Sequence, residues 1–315
     1  METLLSPPIL FFVAGVTAAA LRSNLSIPDV VGKAIALYLM VAIGLKGGVQ
    51  VSQTGITADL LIAASAGIGL SLLMPLPVFW ALRRWGQLDG VNAGAVAAHY
   101  GSVSVVTFVT GLAILEATGL PAAGYMVAVL ALMEAPAIVT GLWLARRSAP
   151  ELSISSKGHF LHILTDGSVL LLLGSFAIGL VTGVSGFEPI KPVFDGAFKG
   201  VLCLFLLDMG LVAARNLLHN RTMTPVLAGL AIGFAVVNGS VGVLVGTMIG
   251  LDGGSSAALG ILAGSASYIA APAAIRLALP QVDIGLPLTM SLAVTFPFNI
   301  LVGIPLFAAL AKYVA

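Results

Sequence analysis

The sequence predicts an all-α polytopic membrane protein, and three observations support this class. Of the 315 residues, 59% are hydrophobic and only 9% are charged, whereas a soluble domain carries about 25% charged residues. The mean hydropathy is +1.09. The apolar residues fall into runs of about 20, the length that a helix needs to cross a bilayer. The chain is therefore predicted to lie almost entirely among membrane lipid.

Ten apolar runs are predicted to form ten transmembrane helices. In chain order they cover 7–24, 29–52, 58–82, 90–118, 122–146, 167–184, 193–215, 224–250, 254–279 and 283–313. The longest polar connection, 149–165, is predicted to be a cytoplasmic linker. It separates a first five-helix repeat, 1–148, from a second five-helix repeat, 166–315.

The first predicted helix is an apolar run that follows a short polar N-terminus. The chain starts with Met1-Glu2-Thr3, which lacks the basic residues of a secretory signal peptide. The run that begins at Pro7 is therefore predicted to remain in the protein as a helix.

Predicted helices 4 and 9 are interrupted at corresponding places. Helix 4 contains Gly101-Ser102-Val103-Ser104, and helix 9 contains Gly264-Ser265-Ala266-Ser267, which lies 163 positions later. Glycine is unfavourable inside a helix by up to about 1 kcal/mol, and serine competes for backbone hydrogen bonds. Both helices are therefore predicted to break here, and the broken helices are predicted to cross near the midplane of the membrane.

Other positions recur at similar offsets. Gly15 corresponds to Gly179 after 164 positions, and Gly44 corresponds to Gly210 after 166 positions. Because each predicted repeat has an odd number of helices, its second copy must insert upside down. The sequence therefore predicts two inverted five-helix repeats.

The two breaks are predicted to bind a small anion. A helix N-terminus carries about half a positive charge and presents N–H groups, which are costly in hydrocarbon unless they face protein or a wet cavity. The alternative is that these small residues only permit close helix packing. The predicted substrate-binding residues are Gly101, Ser102, Val103, Ser104, Gly264, Ser265, Ala266, Ser267 and Tyr268.

An acidic residue within predicted helix 5 marks a candidate cation site. Glu134 comes two positions before Pro136, whose ring frees a backbone carbonyl one turn earlier. A charge at the bilayer centre costs at least about 2.5–3.5 kcal/mol, and hard cations prefer oxygen ligands. The predicted Na⁺ ligands are Glu134, Ser104, Ser267 and Thr107. The alternative for Glu134 is a structural hydrogen bond between helices.

Three further polar residues are candidate gating or accessory residues. His99 precedes the first break, Arg276 lies one turn after Pro272, and Asn299 belongs to predicted helix 10. A structural role for His99 and a snorkelling side chain for Arg276 are the alternatives.

The basic residues predict the orientation of the chain. With the N-terminus outside, nine Lys and Arg residues fall on the inner side of the membrane and four on the outer side. The sequence therefore predicts that both termini lie outside, which for a protein of a bacterial inner membrane means in the periplasm.

Composition and motifs argue against several functional classes. The chain has no metal-ligand spacing and no phosphate-binding loop, so neither an enzyme nor a bound cofactor is expected. It has no basic patch for nucleic acid. Its one cysteine, Cys203, cannot form an internal disulfide, and is predicted to be buried.

The sequence resembles the Na⁺-dependent bicarbonate transporter family, including its cyanobacterial members. The resemblance rests on segments 42–48, 101–104, 134–140 and 265–280. It implies ten helices, with a core domain from helices 3–5 and 8–10 and a gate domain from helices 1, 2, 6 and 7. It also implies Na⁺ co-transport, a homotrimer and a PII-like regulatory partner.

We therefore expect a secondary transporter that imports bicarbonate with Na⁺ as the coupling ion, by an elevator-type motion. Three alternatives remain open at this stage. They are a Na⁺/H⁺ antiporter that uses Glu134 and His99, a carrier of another small carboxylate or anion, and a sensor that does not transport.

Overall fold

The structure, a computed structural model, describes residues 7–55, 57–148, 167–219, 223–279, 282 and 285–314. These residues form helices and loops, and no β-strand occurs among them. The predicted linker 149–165 lies outside the described residues. The helices are α1 (Pro7–Ala20), α2 (Asp29–Thr54), α3 (Ala58–Leu73), α4 (Pro75–Arg84), α5 (Gly90–Gly101), α6 (Val105–Ala117), α7 (Met126–Ser148), α8 (Gly167–Phe187), α9 (Phe198–His219), α10 (Pro225–Met248), α11 (Gly253–Gly264), α12 (Ala270–Ala278) and α13 (Gly285–Val314, with two π-helical stretches).

Seven helical stretches in the described part are long and apolar enough to cross a membrane, which confirms the all-α membrane class. They are Val30–Gln53, Ala58–Arg84, Gly90–Ala117, Met126–Ser148, Leu173–Ile190, Pro225–Met248 and Gly285–Val314. Each one lies on a run that the sequence predicted. The other three predicted runs correspond to the 14-residue α1, to α9 with its charged Lys199, Asp208 and Arg215, and to the short pair α11 and α12.

Several helices begin at a side chain that caps their free amides. Thr57 caps α3 and Thr224 caps α10, each accepting a hydrogen bond from the amide three residues later. Asp89 caps α5, and Asp252 caps α11. Partial burial alone would raise the pKa of Asp89, but its hydrogen bonds with Val91 and Asn92 outweigh burial and hold that pKa below its ordinary value. A threonine therefore caps both α3 and α10, and an aspartate caps both α5 and α11.

Several predicted helix boundaries differ from the observed ones by a few residues. The first helix ends at Ala20 rather than at residue 24, because Arg22 adopts a left-handed conformation with φ of 57°. The helix after the second break begins at Ala270. Pro272 has no amide hydrogen and is tolerated in the first turn of a helix, so the helix starts just before it.

Glycines bring the backbones of two helix pairs into direct contact. A Cβ added to Gly15 of α1 would lie 2.2 Å from the carbonyl oxygen of Leu207 in α9, and one on Gly179 of α8 would lie 2.3 Å from that of Leu45 in α2. Gly15 and Gly179 therefore make the same kind of close contact, each with the carbonyl of a residue in a facing helix.

The reciprocal contacts correct one predicted correspondence. A Cβ on Gly210 would lie 2.3 Å from the carbonyl oxygen of Phe12, and one on Gly48 would lie 2.0 Å from that of Phe176. The glycine of α2 whose contact matches that of Gly210 is therefore Gly48 rather than the predicted Gly44. At both positions the facing backbone is so close that a Cβ atom would collide with it.

We expect Gly179→Ala to destabilise the protein, because its methyl group would collide with the backbone of α2. Overpacking of this kind costs about 1–3 kcal/mol, so the melting temperature of the purified protein in detergent should fall. Gly174→Ala on the same helix is the matched control, since nothing lies within 4 Å of its added Cβ. Equal melting temperatures for the two variants would contradict the close approach of α8 and α2.

Candidate functional site

The first break is a three-residue extended segment between α5 and α6. Helix α5 ends at Gly101, where an added Cβ would lie 2.4 Å from Pro75, and Ser102 and Ser104 then have extended backbones. The hydroxyl of Ser104 accepts hydrogen bonds from the amide and from the hydroxyl of Thr107. Ser104 therefore acts as the cap of α6.

The second break has a similar geometry. Helix α11 ends at Gly264, and the backbone of Ser265 is extended in nearly the same way as that of Ser102. The hydroxyl of Ser267 accepts a hydrogen bond from the amide of Ala271 at 3.2 Å. Each break therefore places one serine oxygen at the start of the following helix.

The two breaks contact each other through direct hydrogen bonds. The amide of Ser104 donates to the hydroxyl of Ser265 at 2.9 Å, and the amide of Ser267 donates to the main-chain carbonyl of His99 at the same distance. The Nδ1 atom of His99 lies 2.6 Å from the carbonyl oxygen of Ser267. Because a carbonyl can only accept, Nδ1 carries the proton, and His99 clamps the end of α5 to the second break.

Glu134 of α7 lies beside this junction and is 2% exposed. The hydroxyl of Ser102 donates to the main-chain carbonyl of Glu134 at 3.1 Å. Ser71 of α3 also hydrogen-bonds to the turn of α7 that contains Pro136. Its hydroxyl donates to the carbonyl of Met133 and accepts from the amide of Ala137. Ser71 of α3 and Ser102 of the first break therefore fix the backbone that carries the carboxylate.

A small cavity joins the two breaks to Glu134. Its volume is about 10 Å³, roughly the room that one water molecule needs. Its lining residues come from both breaks and from α7. They are Val103, Ser104, Val105, Glu134, Ser267, Tyr268 and Ile269.

Two kinds of hydrogen-bond donor lie at or next to the cavity. The hydroxyl of Tyr268 is buried close to the Ser104 side chain but makes no hydrogen bond of good geometry to the described residues, and its ring packs edge-on against Phe296. The amides of Val105, which lines the cavity, and of Val106, the next residue in the first turn of α6, have no acceptor among the described residues. Buried polar groups are normally paired, so these donors are candidates for binding a ligand.

The structure places the predicted site residues in three sets. Ser104, Ser267, Tyr268, Val103 and Glu134 line the cavity. A second set lies in or next to the breaks without lining the cavity: Gly101, Ser102, Gly264, Ser265, Ala266, His99 and Thr107. Of these, Ser102, Ser265, His99 and Thr107 make hydrogen bonds at the breaks, and Thr107 acts through its bonds to Ser104. The third set comprises Asn299, whose amide donates to the carbonyl of Gly264 at 2.9 Å, and Arg276 of α12, whose side chain lies outside the described part. The binding roles of all these residues stay predictions.

Sequence reasoning missed two side-chain contacts that organise the site. Ser71 gave no signal beyond being a serine in an apolar run, yet it supports the turn that carries Glu134. The hydroxyls of Tyr100 and Thr295 lie 2.7 Å apart and tie α5 to α13. Neither contact follows from spacing, because the partners are 62 to 195 positions apart in the chain.

Comparison with models of protein families gives a match to this chain. The model of a family described as the Na⁺-dependent bicarbonate transporter superfamily matches residues 7–312. No curated protein matches the chain significantly.

We expect Ser265→Ala to loosen the junction of the two breaks. The substitution leaves the buried amide of Ser104 without its acceptor, which costs about 1–3 kcal/mol, so the melting temperature should fall. Ser175→Ala is the matched control, because the buried Ser175 hydroxyl bonds only to the carbonyl of Leu171 on its own helix. A melting temperature for Ser265→Ala no lower than that of the control would show that the breaks do not depend on this bond.

Proposed function

The chain belongs to the Na⁺-dependent bicarbonate transporter superfamily, and from this premise we propose that it imports bicarbonate together with Na⁺. One observation carries the proposal. Two broken helices meet through hydrogen bonds beside a buried carboxylate, and the cavity there combines oxygen ligands with donors that have no acceptor among the described residues. Such an arrangement suits one cation and one small anion.

The architecture that we propose is ten helices in two inverted five-helix repeats. The corresponding caps of α3 and α10 and of α5 and α11, the two breaks and the reciprocal glycine contacts support it. The core domain then comprises predicted helices 3–5 and 8–10, and the gate domain predicted helices 1, 2, 6 and 7. In an elevator-type motion, the core domain would slide along the gate domain.

The proposed Na⁺ site uses the oxygens of Glu134, Ser104 and Ser267. These three residues line a cavity with room for one water-sized occupant, and carboxylate and hydroxyl oxygens are suitable ligands for a hard cation. Thr107 contributes by orienting the Ser104 hydroxyl. A bound cation would also offset the cost of a buried carboxylate.

The proposed bicarbonate ligands are donors at the first turn of α6 and on the second break. The amides of Val105 and Val106 point along the positive end of the helix dipole, which favours anions. The hydroxyl of Tyr268 adds a neutral donor. A cavity of about 10 Å³ is too small for four non-hydrogen atoms, so binding of bicarbonate requires a rearrangement that widens the cavity.

Family membership suggests further features that we include in the proposal. They are a homotrimer in a bacterial inner membrane, termini in the periplasm, and a PII-like protein that would act through the linker 149–165. Neither the trimer nor the regulatory partner enters the argument for the transport site.

We expect proteoliposomes that contain the purified protein to accumulate radiolabelled bicarbonate when an inward Na⁺ gradient is imposed. Replacing Na⁺ by K⁺ should abolish accumulation, because the gradient is the driving force. Proton movement driven by Na⁺ without added bicarbonate would instead indicate an antiporter. Competition by small carboxylates, with no bicarbonate accumulation, would indicate another substrate.

Glu134→Gln should weaken Na⁺ coupling, because it removes the charge from the proposed site while keeping its shape. The KM for Na⁺ should rise about tenfold, as expected for a loss of about 1.4 kcal/mol of binding free energy. Glu188→Gln is the control, since Glu188 is exposed on the turn after α8. An unchanged KM for Na⁺ in Glu134→Gln would remove this carboxylate from the Na⁺ site.

Tyr268→Phe tests the anion site by removing one oxygen atom. A hydrogen bond to a charged group is worth about 1.5–3 kcal/mol, so the KM for bicarbonate should rise about 10- to 100-fold while the melting temperature is kept. Tyr313→Phe provides the matched change at a tyrosine that is 88% exposed. If both variants transport with the KM of the original protein, the Tyr268 hydroxyl does not contact bicarbonate.

A further inference from the structure

A second and larger cavity lies at the end of the bundle where α2 and α6 end and α7 and α9 begin. Its volume is about 280 Å³, ample for a small ion with part of its hydration shell. Most of its lining is apolar or main chain. The charged and amide side chains that line it are Lys46 and Gln50 of α2 and Glu116 of α6.

Lys46 is the positively charged group of this cavity. Its Nζ atom lies 2.7 Å from a carboxylate oxygen of Asp195 and 5.8 Å from the centre of the Phe198 ring. Both side chains of the ion pair are about one third exposed. An exposed ion pair contributes little to stability, so an incoming anion can take the place of Asp195 at little cost.

An apolar layer separates this cavity from the cavity between the breaks. Its side chains come from α2, α6 and α9, and they enclose only about 10 Å³. They are Ala36, Leu39, Met40, Val105, Val106, Val109 and Phe205. Leu39 lies seven residues before Lys46 on α2, which corresponds to about 10 Å along the helix, and Val105 lines both this layer and the cavity between the breaks.

We propose that the larger cavity, called here the Lys46 cavity, is an anion-capture site from which bicarbonate moves to the transport site between the breaks. In this conformation the apolar layer separates the Lys46 cavity from the transport site. This inference rests on the proposed function. The three cavities follow one line along the contact of α2 with α6. A partly hydrated anion is stable beside Lys46, whereas crossing the dry layer would strip its water without replacement.

The charges of the cavity match the two transported ions. Lys46 on the α2 wall attracts the anion, and Glu116 on the α6 wall offers a carboxylate to the accompanying Na⁺. Since α2 belongs to the proposed gate and α6 to the proposed core, movement of the core would separate the walls and open the apolar layer.

The first test measures bicarbonate uptake by Lys46→Gln in proteoliposomes. Loss of capture should raise the KM for bicarbonate at least fivefold at low ionic strength and leave the maximal rate within twofold. Asp195→Asn is the matched control, because it breaks the same ion pair but keeps the cation, and its KM should not rise. A KM that rises equally in both variants would show that the ion pair matters for structure and would overturn the proposal.

The second test does not require transport. In a Cys203→Ser background, Ala113→Cys places a thiol in the Lys46 cavity, and Val109→Cys places one a single turn deeper, in the apolar layer. Methanethiosulfonate reagents that carry a sulfonate or a trimethylammonium group are applied to the purified protein in detergent. Lys46→Gln should lower the ratio of the sulfonate rate to the trimethylammonium rate at Ala113→Cys at least threefold, and Val109→Cys should react at least tenfold more slowly than Ala113→Cys with both reagents.

The two tests separate the possible failures. A rate ratio at Ala113→Cys that Lys46→Gln leaves unchanged would overturn the capture site even if the protein transports bicarbonate. Equal reactivity of the two cysteines would overturn the apolar seal. If Lys46→Gln lowers the ratio while no bicarbonate is transported, the anion-attracting cavity stands and the assigned substrate fails.

Discussion

The structure depends on how two interrupted helices satisfy their exposed backbone groups inside an apolar protein. Breaking a helix frees amides and carbonyls that hydrocarbon cannot solvate. Here each break supplies the partners for the other, through Ser104 and Ser265 in one direction and Ser267 and His99 in the other. The breaks are therefore stable only as a pair, which explains why the four serines are buried and hydrogen-bonded.

The pairing of the two breaks also brings oxygen atoms and hydrogen-bond donors together around the small cavity between them. Helix α7 brings Glu134 to that cavity, and hydroxyls of Ser71 and Ser102 bond to main-chain atoms of the turn that carries it. Groups used for the junction, such as the amide of Ser104, are not available to a ligand. What remains is a compact set of serine oxygens, a carboxylate, the first amides of α6 and the Tyr268 hydroxyl, which is the set that we assign to Na⁺ and bicarbonate.

The surroundings of the site explain how a transporter can hold ions without leaking them. Glycine contacts lock α1 to α9 and α2 to α8 as backbone-to-backbone pairs, which makes this part of the molecule suitable as a rigid gate. The contact of α2 with α6 is different, because it is a layer of apolar side chains between two polar cavities. Side chains of this kind can slide past each other without breaking hydrogen bonds.

The sequence by itself determined the membrane class, the family and the places where two helices break, because hydropathy and the local effect of Gly and Ser act within a few neighbouring residues. It also indicated Glu134, since a carboxylate in an apolar run is costly wherever it lies. It paired Gly210 with Gly44. Only the tertiary structure decided that Gly48 is the glycine of α2 that contacts α8, and that Ser71 and His99 stabilise the region where the breaks meet. It also showed that Ser102 and Ser265 form hydrogen bonds within the protein. The sequence could not show these contacts, because they join residues far apart in the chain.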